Sequence, residues 1–105
     1  MLVMRHFKAE FFKILAHPTR IRILDALREG SLTVAELQES LALEQPNVSQ
    51  HLAALRAKGL VESTREGTSV RYAIADAAIL QLLDTARDIY DRQLAGDRAR
   101  FEAMR

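Results

Sequence analysis

The sequence predicts a mainly α-helical domain with one β-hairpin, of the α+β class, and three observations support this prediction. Apolar residues recur at helical spacing over most of the chain, Gly and Pro divide it into short segments, and a strand-like pattern occurs only around residues 60–75. At 105 residues, the chain has room for one hydrophobic core but not for two. We therefore expect a single domain over residues 1–105.

A His-Pro pair separates the first two helices. Residues 5–16 carry phenylalanine, isoleucine and leucine at helical spacing, which predicts the first helix. The residue before a proline disfavours helical geometry, so this helix should end at His17. Pro18 suits the first turn of a second helix, which should end near Gly30.

The next segment predicts two helices joined by a tight turn. Thr33 and Glu36 fit a capping box, in which a hydroxyl and a carboxylate three residues later each accept a hydrogen bond from the other residue's backbone N–H. A short third helix should therefore cover residues 33–41. The fourth helix begins with Gln and Pro and covers residues 45–58, and Gly59 supplies the left-handed residue that ends it.

Beyond Gly59 the pattern changes from helix to strand. Residues 60–66 and 69–75 are rich in valine, threonine, tyrosine and isoleucine, which predicts two strands with a hairpin turn between them. One long apolar stripe over residues 79–94 then predicts a final helix. The order α1-α2-α3-α4-β-β-α5 is the layout of a winged helix-turn-helix domain, with the hairpin as its wing.

Composition and motifs exclude several classes of function. The chain has no cysteine, which rules out disulfides, thiolate metal sites and thiol nucleophiles. It has no glycine-rich phosphate loop, nucleophile elbow or paired-carboxylate motif, so we expect neither an enzyme nor a cofactor. No apolar run is long enough for a membrane span and no signal peptide is visible, so a cytoplasmic protein without a membrane partner is expected.

The fourth helix has one face that suits double-stranded DNA. On a helical wheel, Val48, Leu52 and Leu55 fall together and should face the core. The opposite face is small and uncharged near its start, and residues 45–61 contain no acid. Such a surface can enter a major groove, where amides can bond adenine and a hydroxyl can address either base type. The residues on this face and its flanks are Pro46, Asn47, Ser49 and Gln50.

Basic residues around this face are candidates for phosphate contacts. Arg56 and Lys58 lie toward the far end of the fourth helix, where a phosphate contact is more natural than a base contact. Arg65 and Arg71 of the hairpin are either contacts to the DNA backbone or minor groove, or solvated strand charges. His51 lies on the flank of the helix, as either a phosphate contact or a packed, hydrogen-bonded histidine.

Two segments resemble the ArsR (arsenic-repressor type) winged-helix family. They are FFKILAHPTRIRIL at residues 11–24 and VSQHLAALR at residues 48–56, the second followed by KGLV at residues 58–61. The resemblance continues through Gly67, Arg71 and Tyr72 and spans roughly residues 7–95. It implies a bacterial transcriptional regulator, usually a repressor, that binds an imperfect palindrome as a homodimer. It places the groove contacts on Gln45, Pro46, Ser49 and Gln50, with Asn47 and His51 adjacent.

The resemblance also implies which surface forms the homodimer. In this family the first and last helices of the two copies pack together, and the apolar stripes of the corresponding helices in this chain fit that arrangement. The interface candidates are Phe7, Phe11, Ile79, Leu82, Leu83, Ala86, Ile89 and Tyr90.

The metal sites of the better-known family members are missing. Cysteines at the start of the third helix are replaced by Thr33 and Ala35, and of the four ligands on the last helix only Asp76 is retained. One carboxylate does not make a transition-metal site, so no metal is expected. The one alternative left is a site formed by His6 with Asp84, Asp88 or Asp91.

Two questions stay open at this level. Control that does not use cysteine could come from a small-molecule effector between the terminal helices or from a protein co-regulator, and a regulator without an effector is a third option. The alternative to DNA binding is a winged-helix module that binds only proteins. That alternative predicts acidic or apolar residues on the exposed face of the fourth helix, and the sequence has neither there.

Overall fold

The computed structural model describes residues 2–105, and within them the chain forms five α-helices and a three-stranded antiparallel sheet. The helices are α1 (Leu2–Leu15), α2 (Pro18–Ala26), α3 (Val34–Leu41), α4 (Gln45–Ala57) and α5 (Ala78–Ala103). The strands are β1 (Leu32–Thr33), β2 (Val61–Glu66) and β3 (Ser69–Ile74). The predicted winged helix-turn-helix order is confirmed, with one strand added.

The added strand is β1, which the sequence analysis missed. It pairs antiparallel with β3, placing Leu32 opposite Tyr72 and Thr33 opposite Arg71, and the strand order is β1-β3-β2. Two residues are too few to show the alternation by which a strand is recognised in sequence. Because Thr33 also caps α3, β1 joins the wing directly to the helix-turn-helix.

Helix ends differ modestly from the prediction. Helix α1 begins at Leu2 rather than at residue 5, and α2 is followed by a single 3-10 turn over Leu27–Glu29 before Gly30. Helix α5 continues to Ala103, beyond the predicted stripe, through a segment rich in the good helix formers alanine and arginine. No helix within residues 2–105 is both long and apolar enough to cross a membrane.

The core lies where α2, α3 and α4 meet the root of the wing. Ile23 and Leu24 of α2, Leu37 of α3 and Leu60 before β2 are completely buried. The predicted inner face of α4 is confirmed, because Val48, Leu52 and Leu55 are also 0% exposed. Burying one such side chain stabilises the fold by about 1.5–3 kcal/mol. The core therefore holds α4 from behind and leaves its other face in solvent.

Both ends of the helix-turn-helix are defined by local hydrogen bonds. The predicted capping box is present, since the Thr33 hydroxyl accepts from the Glu36 N–H at 3.1 Å and the Glu36 carboxylate accepts from the Thr33 N–H at 2.9 Å. These bonds and the nearby Arg71 lower the pKa of Glu36. At the end of α4, Gly59 has a φ of 78°. The Gly59 N–H binds the Arg56 carbonyl at 3.0 Å, and the Leu60 N–H binds the Leu55 carbonyl at 2.9 Å.

Candidate nucleic-acid interface

The outer face of α4 is exposed over its whole length. Pro46, Asn47 and Gln50 lie in solvent near its start, and alanines continue the same face toward its end. Ser49 is half-buried, and its hydroxyl accepts a hydrogen bond from the Gln45 amide at 2.8 Å. The face therefore offers two free side-chain amides, those of Asn47 and Gln50. A third amide, that of Gln45, is hydrogen-bonded to the Ser49 hydroxyl. This arrangement can donate and accept hydrogen bonds at base edges.

The start of α4 is left open to an anion. Glu44 at the N-cap makes no side-chain hydrogen bond to the helix, and Pro46 occupies the first turn, where a backbone donor is not needed. The positive end of the helix dipole consequently stays uncapped by any side chain. A phosphate group fits such a helix end, although the exposed Glu44 carboxylate is an acid directly beside it.

His51 is packed and hydrogen-bonded, which is one of the two interpretations that the sequence left open. Its Nδ1 accepts a hydrogen bond from Nε of Arg20 at 3.1 Å. The His17 ring lies 6.0 Å from the His51 ring, measured between centroids. Burial, and then the charges of Arg20 and His17, lower the pKa of His51. His51 is therefore neutral, and its Nδ1 is occupied within the protein.

The two arginines of the wing occupy different environments. Arg65 on β2 is exposed and forms no ion pair with any residue of the 2–105 segment. Arg71 on β3 is half-buried, and its guanidinium donates to the hydroxyl of Ser31 at 3.1 Å and to the Ser31 carbonyl at 2.9 Å. A Glu36 carboxylate oxygen lies 3.5 Å from the same guanidinium. Arg65 is thus available to a ligand, whereas Arg71 joins the wing to the residues before α3.

Two more basic residues stand at the far end of α4. Arg56 is exposed in the last turn, and Lys58 is exposed at the C-cap. Neither forms an ion pair with the residues that the structure describes. Together with Arg65 they leave three free cations on or next to the helix-turn-helix.

The exposed apolar side chains of the protomer are concentrated on α1 and α5. Within residues 2–105, every large apolar side chain that is exposed lies on one of these helices or directly after α5. Phe7 is 62% exposed, Ile89 46% and Tyr90 62%, and Ala86 is exposed beside them. The other candidates of the dimer set face inward to different degrees: Phe11, Leu82 and Leu83 are partly buried against the core, and Ile79 is 6% exposed.

Two of the carboxylates considered for a metal site, Asp84 and Asp76, have other partners. No group of three or more histidine, aspartate or glutamate side chains suited to a metal ion occurs in the described part of the chain. Asp84, proposed with His6, lies 3.0 Å from the guanidinium of Arg28, whose pKa is raised by its hydrogen bonds to Asp84 and Asp25. Asp76, the retained ligand position, accepts a hydrogen bond from the Ala78 N–H at 2.9 Å and so caps the start of α5.

Comparison with known proteins gives consistent matches. The family model for bacterial regulatory proteins of the arsR family matches residues 17–63. The uncharacterized HTH-type transcriptional regulator Rv0081 of Mycobacterium tuberculosis is 46% identical over 99 residues, which is 93% of this chain and 87% of the relative. Its crystal structure superimposes with a TM-score of 0.82 at 45% identity, covering 91% of this chain and 96% of the other.

Two further matches agree with this one. A probable mercury resistance operon repressor of Streptomyces lividans is 39% identical over 79 residues, which is 75% of this chain and 63% of the relative. The homodimeric winged helix-turn-helix DNA-binding domain of a possible ArsR-family regulator of Mycobacterium bovis has a TM-score of 0.80 at 31% identity, covering 89% of this chain and 86% of that one. The family and the relatives named here are transcriptional regulators rather than enzymes. This chain belongs to the arsR family of bacterial regulatory proteins.

Proposed function

We propose that the protein is a homodimeric transcriptional repressor that recognises one duplex sequence through the outer face of α4. The observation that carries this proposal is the pairing of a fully buried inner face with a small, exposed and acid-free outer face on the same helix. A helix that reads bases must be held rigidly from behind and must present short polar side chains. Helix α4 meets both requirements.

Within this proposal, α4 supplies the base contacts. Gln50 and Asn47 bind base edges through their amides, and the joined Gln45 and Ser49 side chains supply a further donor and acceptor. Pro46 lies at the helix start and adds an apolar contact without a donor. The helix start itself faces a phosphate.

The free cations supply the sequence-independent part of binding. Arg56 contacts a phosphate beside the groove that α4 enters, and Arg65 of the wing contacts the neighbouring backbone. His51 and Arg71 support the interface from behind, because Nδ1 of His51 accepts from Arg20 and the guanidinium of Arg71 donates to Ser31. We therefore separate residues that touch DNA from residues that position them.

We propose that a second copy covers the exposed apolar side chains of α1 and α5. An apolar patch of this kind marks an interaction surface, and the Mycobacterium bovis relative is a homodimer. Two-fold symmetry presents two α4 helices to successive major grooves, which lie about 34 Å apart on one face of DNA. The target is then an imperfect palindrome.

Control of the repressor, in this proposal, does not use cysteine. An apolar groove of about 420 Å³ lies between α1 and α5, and Lys58 at the C-cap of α4 is one of its lining residues. Phe7, Phe11, Ile79 and Leu82 line it. A small-molecule effector or a protein co-regulator that binds in this groove would contact the C-terminal end of α4.

The substitution Gln50→Ala tests the base-reading role of α4. We expect it to reduce discrimination between the duplex upstream of the protein's own gene and a scrambled duplex by about 1–3 kcal/mol, since a bidentate contact is lost. Binding of both labelled duplexes is measured by fluorescence anisotropy. Gln81→Ala, an exposed glutamine on α5, is the matched control and should leave discrimination unchanged.

Two results would contradict the proposal at different levels. Full discrimination by the Gln50→Ala variant would show that this side chain reads no base. A wild-type protein that ignores its own upstream duplex at low salt would refute DNA binding as a function and favour the protein-interaction module.

A further inference from the structure

One guanidinium connects three helices at the back of α4. Arg20 lies in α2, and its Nε donates to Nδ1 of His51 on α4 at 3.1 Å. Its Nη1 donates to the carbonyl of Ile14, near the end of α1, at 3.2 Å. A guanidinium is a rigid fork of donors that stays charged, so the two bonds fix the relative direction of their acceptors.

The bond from Arg20 defines the proton state of His51. Because a guanidinium only donates, Nδ1 of His51 must carry a lone pair, which places the single imidazole proton on Nε2. The groups that face His51 are Arg20 from α2 and His17 from the junction of α1 and α2. Neither Arg20 nor His51 has an ion-pair partner within residues 2–105. A second proton on His51 would remove the acceptor and set two cations against each other.

We propose that Arg20 is a positioning residue for DNA reading, which holds α4 by its bond to neutral His51 and links the orientation of α4 to α1. The inference rests on the proposed function. The apolar contacts of Val48, Leu52 and Leu55 hold α4 to the core, but hydrophobic contacts are not directional. The bond to His51 is directional, and base contacts by Gln50 require that direction to be kept.

The link to α1 extends this role to the proposed dimer. Helix α1 carries part of the exposed apolar surface, including Phe7, that the second copy covers in our proposal. Since Arg20 binds the end of α1 and the flank of α4 at once, it transmits the placement of the dimer helices to the reading helix. Arg20 thus contributes to the spacing of the two reading helices, in addition to the apolar contacts of α4 with the core.

Two substitutions at His51 separate positioning from direct contact with DNA. Asparagine places an acceptor near the position of Nδ1, so His51→Asn keeps the bond from Arg20 and loses the Nε2–H. Glutamine places its amide near Nε2, so His51→Gln keeps a donor there and loses the acceptor for Arg20. Arg20→Met removes the donor fork, and Arg22→Met is the matched control. Arg22 also lies on α2, but it donates to the Leu41 carbonyl at the end of α3.

We expect His51→Asn to bind the upstream duplex within about threefold of wild type, and Arg20→Met and His51→Gln to lose about tenfold, as for one hydrogen bond to a charged group. The double variant Arg20→Met/His51→Gln should be no weaker than either single one, because both remove the same bond. Arg22→Met should lose less affinity than Arg20→Met, because its hydrogen bond ends at the Leu41 carbonyl and not on α4. A His51→Gln protein that keeps full affinity while His51→Asn loses it would assign His51 to direct contact and overturn the inference, as would fully additive losses.

A pH series adds a readout that a purely structural role would not show. Burial and the nearby Arg20 and His17 lower the pKa of His51 from its ordinary value, so the neutral, hydrogen-bonded form is favoured at higher pH and is lost as the pH falls through the folded pKa. From about pH 7.5 down to about pH 5.5, the range in which histidines charge, wild-type affinity should fall more steeply than that of His51→Asn. Parallel curves for the two proteins would overturn the inference.

Nitrogen-15 NMR of the imidazoles tests the bond between Arg20 and His51 in the absence of DNA. We expect His51 in the free protein to be protonated on Nε2, and to change its tautomer balance in Arg20→Met. Protonation on Nδ1 in the wild type would overturn the bond itself. If the wild type binds no duplex while the tautomer is as expected, the proposed function fails and the link between α2 and α4 stands.

Discussion

Apolar side chains are buried in the half of the protomer that carries α4 and exposed in the half formed by α1 and α5. On α4, Val48, Leu52 and Leu55 are 0% exposed, because α2 and α3 cover them within the same chain. On α5, Tyr90 is 62% exposed and Leu94 44%, so the chain within residues 2–105 leaves both largely uncovered. We call the half that carries the candidate interface the closed half, because its apolar side chains are buried, and the other half the open half, because its apolar side chains are exposed.

This difference teaches how one type of sequence pattern can have two structural outcomes. Both helices carry an amphipathic stripe, but the stripe of the short helix α4 is buried, while α5 extends well past the last residue that packs on the core, Leu83. A buried apolar stripe indicates packing within one chain, and an exposed apolar stripe indicates a surface suited to binding a partner. Substitutions in the two stripes should therefore damage different properties of the protein.

The largest expected effect is on the closed half. Leu52→Ala should lower the free energy of unfolding by about 2–5 kcal/mol, because it leaves a cavity in a fully packed site. Urea denaturation followed by circular dichroism measures this, and Leu52→Met, which conserves volume, is the control and should cost less than about 1.5 kcal/mol. A loss below 1 kcal/mol would show that the contact between α4 and the core is looser than its burial implies.

On the open half, Ile89→Asp should abolish the proposed dimer while leaving the protomer folded. Ile89 is 46% exposed in the protomer, so an aspartate there remains hydrated until a second copy covers it. Burying that charge between two copies is unfavourable, which should weaken association by more than about tenfold. Sedimentation velocity measures the mass, and Ile89→Leu is the control. A variant that sediments as a dimer would move the interface away from this part of α5.

The residues predicted correctly are those whose structure depends on near neighbours in sequence. The α4 stripe, the capping box of Thr33 and Glu36 and the stop at Gly59 all follow from signals within a few residues. The inner position of Ile79 could not be predicted in this way. Its stripe is shared with outward-facing residues, and only the packing of α5 on the core decides where the boundary falls.

Contacts between distant segments explain what the sequence analysis could not supply. Arg71 and Ser31 are 40 residues apart, and Arg20 and His51 are 31 residues apart. No local pattern marks either pair, so the sequence allowed Arg71 to be a DNA contact or a solvated strand charge, and His51 to be a phosphate contact or a packed histidine. The pairing of β1 with β3 brings Arg71 to Ser31, and the packing of α2 on α4 brings Arg20 to His51.

The smallest expected effects come from substitutions of the two wing arginines. These substitutions test which arginine of the closed half is available to contact a phosphate. Arg65→Ala should weaken binding to all duplexes alike and reduce the slope of log affinity against log salt by about one unit, because one phosphate contact is lost. Arg71→Ala should weaken binding without changing that slope, because its guanidinium is bonded to Ser31 rather than to a phosphate.

The two variants control for each other, since both remove one arginine from the same hairpin. Affinity is measured for each at several salt concentrations on the upstream duplex and on a scrambled one. If Arg71→Ala also reduced the slope by about one unit, the bond to Ser31 would have to open on binding, and Arg71 would be a phosphate contact as the sequence allowed. If Arg65→Ala left the slope unchanged, the wing would not touch the DNA backbone at Arg65, and α4 alone would carry the electrostatic part of binding.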